Sequence, residues 1–427
     1  MWQQLGILYH QVKGRFQELN QTVDILRAYQ SNKLAKVLDK TSTQIPFYQS
    51  YKHATLHEYP IIGKTFVQEH FALLNRAKLT REAVLEKPSM PLIEIHQSLG
   101  TAGAPGIYLY SAREKIASLG NLLSKMFPSF LQNKRIAVFH SAATPYFSEK
   151  FLAWKMHWLF LNLNEDFSSL VQQLKTFNPE VIIGSVQTLC ALAKLQLQGD
   201  ITLRCHKIIA TSEVLTPLAR KWIMNAFGQK VHQLYQCAEG AFGMTCGHGT
   251  MHLNEHEFYI EKEWVDHLQK RFVPVITTLK RRLQPLIRYR MEDILTSKAE
   301  PCPCGNPHLA IESIIGRCED VLYFKDRLHA GLKPIYADTL AKLFSAIEIP
   351  IYQYQVVQSS MRHIVIKLLV EDFMNVQRLL SEKLSDLWLI EGIAPPLLEF
   401  EKLEAPTLNQ MFRTTKRLAK STVTLLT

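Results

Sequence analysis

The chain has 427 residues, 47% hydrophobic and 20% charged, enough to bury a globular core and to divide into more than one domain, which excludes a disordered chain. No run of roughly 18 uncharged apolar residues is present, and the opening Met1-Trp2-Gln3-Gln4 lacks a basic-then-apolar leader, so the sequence reads as a cytoplasmic protein that does not engage a membrane. Seven cysteines are too scattered for a disulfide scaffold, and a formal charge of +11 suits nucleic acid, an anionic surface or a phosphate-rich small ligand alike.

The first 50 residues or so predict amphipathic helix, with Leu5, Leu8, Val12 and Phe16 on one face and then Ile25, Leu34, Val37 and Leu38, wrapping the main core. Two extended runs, Leu92-Ile93-Glu94-Ile95 and Ile107-Tyr108-Leu109-Tyr110, flank a glycine-rich loop. From residue 134 short apolar runs alternate with helices: a strand over 136–139, a helix near 148–157 and a strand over 158–161 come first. Helix 167–177 then leads to strand 181–184, helix 186–197 to strand 207–210, and helix 216–227 to strand 230–235. This alternation predicts right-handed crossovers and a parallel sheet buried on both faces. Ligands of such sheets sit beyond the strand carboxyl ends, so the turns after Ala210 and Tyr235 are candidate site positions.

After residue 250 shorter strands, 258–261, 273–277 and 285–289, predict an antiparallel or barrel-like appendage. Beyond Gly316-Arg317 a helix over 336–346, strands over 352–358 and 363–370 and a helix over 372–387 form an α+β set. The expected fold is α/β: a large N-terminal domain, 1–316, with a mostly parallel sheet plus the appendage, and a small α+β C-terminal domain, 317–427. Within it Lys280-Arg281-Arg282 lacks the interleaved aromatics of a single-strand platform and reads as solvated surface, with no nucleic-acid partner.

The loop Ser98-Leu99-Gly100-Thr101-Ala102-Gly103-Ala104-Pro105-Gly106 carries three glycines and two hydroxyls, which lets backbone N–H groups converge on an anion. It lacks the Gly-Lys-Ser/Thr ending of a Walker loop, and alone it is equally a hairpin turn. Four further segments follow in order: Thr211-Ser212-Glu213-Val214-Leu215-Thr216-Pro217, Tyr235-Gln236-Cys237-Ala238-Glu239-Gly240, Arg288-Tyr289-Arg290-Met291-Glu292-Asp293 and Gly316-Arg317-Cys318-Glu319-Asp320. From about residue 59 onward this ordered set resembles the adenylate-forming superfamily of acyl-CoA synthetases and adenylation domains, in particular its phenylacetate-CoA ligase and CapK-like branch.

The resemblance implies ATP-dependent activation of a small carboxylic acid, aromatic or acyl, to an acyl-adenylate with release of pyrophosphate, followed by transfer to CoA or to a carrier-protein thiol. It assigns Ser98, Gly100, Thr101 and Gly103 to the ATP phosphates, Ser212 and Glu213 to the adenine edge, and Tyr235 to stacking on the base. Glu239 becomes the magnesium ligand, a role suited to a hard carboxylate oxygen. Asp293 becomes the acceptor for the ribose hydroxyls, Arg317 a second ribose contact and Glu319 the hinge. The mobile catalytic lysine falls on Lys416, in Phe412-Arg413-Thr414-Thr415-Lys416-Arg417, with Lys420 as the other register. The acid pocket is expected near His140, Tyr146 and Phe147. Ala102, Ala104 and Ala238 stand where the family commonly carries hydroxyl or lysine donors; this motivates the alternative of a non-catalytic nucleotide-binding relative.

Cys302-Pro303-Cys304-Gly305 is a tight C-x-C pair in a turn, and Cys246 and His252 lie upstream. Thiolates plus imidazole suit a four-ligand, structural zinc, and similar cysteines occur in CapK-like relatives. His248 and His256 compete with His252 for the imidazole position.

Overall fold

The computed structural model describes residues 2–86, 90, 92–97, 106–127, 134–140, 156–266, 268, 270–404, 408 and 414–417. Helices α1 (Trp2–Leu19) and α2 (Val23–Gln44) begin the chain, and short helices α3 (Lys64–Glu69) and α4 (Arg81–Glu86) lead to an antiparallel pair, β1 (Ile93–Gln97) and β2 (Ile107–Ser111). Helix α5 (Ala112–Met126) follows at once, started by a capping box in which the Ser111 and Glu114 side chains each accept the other's backbone N–H.

Helix α1 lies along α5 by close backbone approach. A Cβ on Gly120 would come within 2.5 Å of His10 Cβ and 2.6 Å of the Ile7 carbonyl oxygen, and one on Gly14 within 2.6 Å of Ser124 Oγ. The expected inner face of α1 is therefore wrong. Ile7, Gln11 and Gly14 face inward, whereas Leu5, Val12 and Phe16 are exposed, because α5 approaches at Gly120 against the Ile7 and Gln11 main chain and leaves the other row outward. On α2, Leu34, Val37 and Leu38 do pack on the core; Ile25 is exposed and its neighbour Leu26 is buried instead.

The parallel half forms as the periodicity predicts. It runs β3 (Lys134–His140), β4 (Met156–Asn162), α6 (Phe167–Phe177), β5 (Val181–Ser185), α7 (Val186–Gln198), β6 (Lys207–Thr211), α8 (Pro217–Phe227) and β7 (Val231–Cys237). Asp166, Ser185 and Thr216 cap the helix starts, and Asn178, Gly199 and Gly228 close the ends in the left-handed region. The strands lie in the order β4-β3-β5-β6-β7, all parallel, with Ile182, Ile183, Ile208 and Ile209 fully buried between helical layers. Met156 and His157, expected at the end of a helix, open β4 instead. Pairing with the whole length of β3, from Lys134 opposite Met156 to His140 opposite Asn162, draws them into the sheet. The remainder of that expected helix lies outside the described residues.

The antiparallel strands extend the same 12-stranded sheet. They are β8 (Gly240–Thr245), β9 (Met251–Leu253), β10 (Phe258–Trp264), β11 (Arg271–Thr278), β12 (Tyr289–Arg290), β13 (Asp293–Ser297) and β14 (Ala310–Arg317), ordered β7-β8-β9-β14-β13-β11-β10 with β12 against β11. The strand expected over 285–289 shrinks to Tyr289–Arg290. Pro285 has no N–H to give, Leu286 donates to Thr278 Oγ1, and Arg288 takes a φ of +48° that breaks the ladder.

The C-terminal part is a smaller α+β domain. A hairpin, β15 (Leu322–Lys325) and β16 (Leu332–Ile335), precedes α9 (Ala337–Ser345), β17 (Ile351–Ser360), β18 (His363–Val370), α10 (Phe373–Ile390), β19 (Leu397–Lys402) and β20 (Thr415–Arg417). Its sheet, β19-β18-β17-β20, closes over a core that includes Phe344, Tyr354, Leu380 and Trp388. Among the described residues no helix is long and apolar enough to cross a membrane. Because Gly120 meets main chain of α1, Gly120→Ala is expected to destabilise the protein by about 1–3 kcal/mol, measured as a lowered midpoint in urea unfolding.

Candidate functional site

The parallel strands deliver a set of polar side chains to one edge of the sheet. After β7, the chain turns through Ala238 and Glu239 into β8, where Gly240 has a φ of +154° and a Cβ would strike the Phe258 ring at 2.6 Å. That turn leaves Glu239 buried. Its Oε1 accepts from the Tyr289 hydroxyl at 2.8 Å, and Tyr289 Oη, its one proton spent, takes the Tyr108 hydroxyl proton at 2.8 Å. The Glu239 main-chain oxygen is held as well, by Tyr110 Oη at 2.7 Å and Arg281 Nη1 at 3.1 Å. Ala238 is buried beside it, with its carbonyl oxygen accepting from Tyr110 at 3.3 Å. Burial and the nearby Glu239 carboxylate push the Tyr108 and Tyr289 hydroxyls well above their ordinary pKa, so both remain donors.

Arg281 corrects the reading of Lys280-Arg281-Arg282 as solvated surface. Its side chain is buried, with Nη2 donating to the Leu109 carbonyl oxygen at 2.7 Å and the guanidinium 3.9 Å from the centre of the Tyr110 ring. His96 stacks on the same ring with centroids 4.2 Å apart, and burial, then Lys115 and Arg281, lower its pKa to about 3, which keeps it neutral. Sequence reasoning missed these groups. The available signal was the alternation Tyr108, Tyr110 in β2, which puts both rings on one face.

Tyr235, on β7, meets Asp293 and Arg317, which stand on β13 and β14. The Tyr235 hydroxyl donates to Asp293 Oδ2 at 2.7 Å, and its buried ring lies 5.4 Å from that of Phe242. Asp293 and Arg317 are register partners across β13 and β14. Arg317 Nη1 donates to Glu292 Oε2 at 3.2 Å. Burial works against the Arg317 charge, but Asp293, Glu292, Glu319 and Glu239 outweigh it and hold the pKa above its ordinary value. The structure thus brings Tyr235, Glu239, Asp293 and Arg317 into one electrostatic cluster.

Ser212 and Glu213 follow β6 at the same edge. Ala210 stands opposite Gln233, so two residues on Ser212 reaches the level of Tyr235. Ser212 is exposed with a φ of +68°, a conformation a non-glycine residue adopts at a cost and one concentrated at functional turns. Glu213 Oε2 accepts the Gln187 N–H at 2.9 Å, in the first turn of α7. Ser98, Gly100, Thr101 and Gly103 lie outside the described residues, as do Ala102, Ala104, Tyr146, Phe147 and Lys420. His140 ends β3 at the same strand edge. Lys416 is exposed in β20, opposite Val357 at the edge of the small sheet, and β20 packs beside the turn Cys318–Asp320 that follows Arg317.

The four thiol and imidazole groups singled out in sequence come together. The ligand atoms of Cys246, His252, Cys302 and Cys304 all lie within 4.8 Å of one another. Cys246 Sγ and Cys302 Sγ are 3.7 Å apart, and Cys304 Sγ is 3.3 Å from His252 Nε2. Zinc–sulfur bonds of about 2.3 Å at a tetrahedral angle separate two sulfurs by about 3.8 Å, so the donor set and its spacing fit that ion. His252 Nδ1 faces the His308 carbonyl oxygen at 3.2 Å, the contact that leaves Nε2 as a lone-pair donor. His256 is engaged elsewhere, with Nε2 at 2.7 Å from Gln21, and His248 is exposed.

No family model matches the chain. In sequence it is similar to the phenylacetate-coenzyme A ligase of Thermus thermophilus, 21% identical over 369 residues that cover 78% of each chain. In structure it is similar to a 2-hydroxyisobutyryl-CoA ligase solved in its postadenylation state with R3-HIB-AMP, with a TM-score of 0.70 and 16% identity over 94% of this chain and 91% of that one. The same ligase with 2-HIB-AMP and CoA in its thioesterification state gives a TM-score of 0.56 at 16% identity, covering 94% and 92% of the two chains. The resemblance to adenylate-forming enzymes of the phenylacetate-CoA ligase type, drawn from the ordered motifs, is borne out in sequence and in fold.

Removing the donor to Glu239 leaves a buried carboxylate oxygen short of a partner. Tyr289→Phe is expected to lower stability by about 1–3 kcal/mol, read from urea unfolding at neutral pH.

Proposed function

We propose, from the adenylate-forming fold and sequence likeness of this chain, that it activates a small carboxylic acid with ATP and passes the acyl group to a thiol. In the first half-reaction an oxygen of the acid's carboxylate attacks the α-phosphorus of ATP, the bond to the bridging oxygen breaks, and pyrophosphate leaves. In the second, a thiol sulfur attacks the acyl carbon, AMP departs, and the thiol proton is lost. CoA is the acceptor we favour, with a carrier-protein thiol as the other source of the same chemistry. The observation that carries this reading is the cluster of Tyr235, Glu239, Asp293 and Arg317 at the carboxyl edge of the parallel strands.

Each residue has a role that its surroundings suit. Tyr235 presents a ring at the strand end for the base, and Asp293, oriented by the Tyr235 hydroxyl, is an ionised acceptor for ribose hydroxyls beside the Arg317 cation. Ser212 and Glu213 border the base at the end of β6, and Ser98, Gly100, Thr101 and Gly103 offer backbone N–H groups to the phosphates. Glu239, fixed by Tyr289, is the carboxylate for a divalent cation. Magnesium there would neutralise charge on the triphosphate. Lys416 is the cation we assign to the α-phosphate, carried by a small domain, 317–427, that turns against 1–316 near Glu319. That none of the seven cysteines is in a disulfide, together with the demand for ATP, supports a cytoplasmic setting.

We assign the Cys246, His252, Cys302 and Cys304 cluster to a structural zinc, since four protein donors leave no open position for chemistry. It would tie β9 to the 302–304 turn.

Acid-dependent exchange of labelled pyrophosphate into ATP tests the first half-reaction: a panel of aryl and alkyl acids that yields none, with no detectable ATP binding, removes the enzymatic reading. Glu239→Gln and Lys416→Ala are each expected to slow exchange by about 100-fold or more, and undiminished exchange in the latter would move the cation's role off Lys416. Elemental analysis of purified protein is expected to find about one zinc per chain, lost in Cys304→Ser together with a lowered melting temperature.

A further inference from the structure

Beside Glu239, and lined by none of Tyr235, Asp293 and Arg317, lies a cavity of about 650 Å³ between α2, the start of α5 and the segment 279–285. Eight Lys and Arg side chains and three Glu line it. Three of the cations, Lys33, Lys36 and Lys40, come from one face of α2 at spacings of three and four residues. Arg76, Arg113 and Arg282 face them from other segments, and among the described residues no ion pair joins any of these six to an acid.

The three glutamates are committed elsewhere. Glu114 caps α5 through Ser111 and receives the Arg282 and Leu283 N–H groups, Glu257 pairs with Lys280 at 2.8 Å and accepts from Asn121 at 2.6 Å, and Glu239 is held by Tyr289. Burial lowers the Lys33 pKa, and the neighbouring cations Lys280, Lys13, Lys36 and Arg282 add to it. Arg281, buried in the same wall, has an Nε with no acceptor among the described residues.

Like charges four apart on a helix, such as Lys36 and Lys40, destabilise the free protein. A cleft lined by one sign of charge focuses its field and concentrates counter-ions. The volume is that of a small-molecule site, and forked guanidinium groups beside lysines match the oxygens of a phosphate.

We propose that this cavity binds a small ligand carrying phosphate groups, through Lys33, Lys36, Lys40, Arg76, Arg113 and Arg282. The phosphate belongs either to the acid undergoing activation, whose reacting end would lie past Glu239, or to a separate phosphate ester. Only the first source rests on the adenylation reading; the binding site does not.

Calorimetric titration of the full chain with inorganic tripolyphosphate, its ATP site first saturated with a non-hydrolysable ATP analogue, tests the site. Wild-type protein is expected to bind with a Kd below about 1 mM, and the triple variant Lys36→Ala/Lys40→Ala/Arg113→Ala, whose altered side chains are all exposed, to bind at least about tenfold more weakly. Equal affinities, or no wild-type binding at about 10 mM, would overturn the proposal. A melting temperature of the variant no lower than that of the wild type shows that the comparison is between folded proteins. The source is read from pyrophosphate exchange with phosphorylated acids and their unphosphorylated counterparts. A KM that rises in the variant for the phosphorylated acids alone identifies the acid; KM values that move for neither class, with tripolyphosphate binding still lost, identify a separate phosphate ester. Absence of exchange with every acid counts against the adenylation reading and leaves the titration to decide the site.

Discussion

A buried carboxylate is expensive unless polar partners hold it, and the centre of this fold is arranged around supplying them to one. Glu239 is held at its side chain by Tyr289 and at its main chain by Tyr110 and Arg281. Those contacts bind β2, the β7–β8 turn and the segment leading to β12 into one unit, although they are distant in sequence. A hydrogen bond to an ionised group contributes roughly twice what a neutral one does. The same bonds that make burial of Glu239 bearable therefore fix the geometry of the sheet edge on which the other site residues stand.

The parallel half was legible because local signals agree there. Amphipathic period, serine, threonine and aspartate caps, and asparagine or glycine stops all indicate the same boundaries, so helix 167–177 and the strands that follow fall where the pattern puts them. The reading failed where a tertiary contact overrides the local pattern. The apolar row on α1 looked like a core face, but Gly14 and Gly120 permit an approach only small residues can make. Arg281 looked like one of three solvated cations, and only the fold reveals that the carbonyls of Leu109 and Glu239 meet around it.

The site shows the same division. Tyr235, Glu239, Asp293 and Arg317 were visible through the resemblance of their ordered motifs to a known superfamily, and Cys246, His252, Cys302 and Cys304 because thiol and imidazole groups restrict their own chemistry. The supporting tyrosines were given no role, even Tyr289 inside one of the motifs, since a tyrosine beside apolar residues is ordinary. What decides their importance is which hydroxyl lies within 2.8 Å of which oxygen, and spacing along one chain does not encode that.

Among the described residues, the strand that carries Lys416 is three residues long and pairs with the sheet along one side. An element that short at a sheet border breaks few ladder bonds when it separates, so its opening free energy lies far below that of the whole domain. Amide protons of Thr415–Arg417 should therefore exchange with deuterium well ahead of those in β17 and β18. A cation carried on such an element can be repositioned without unfolding the core that supports it.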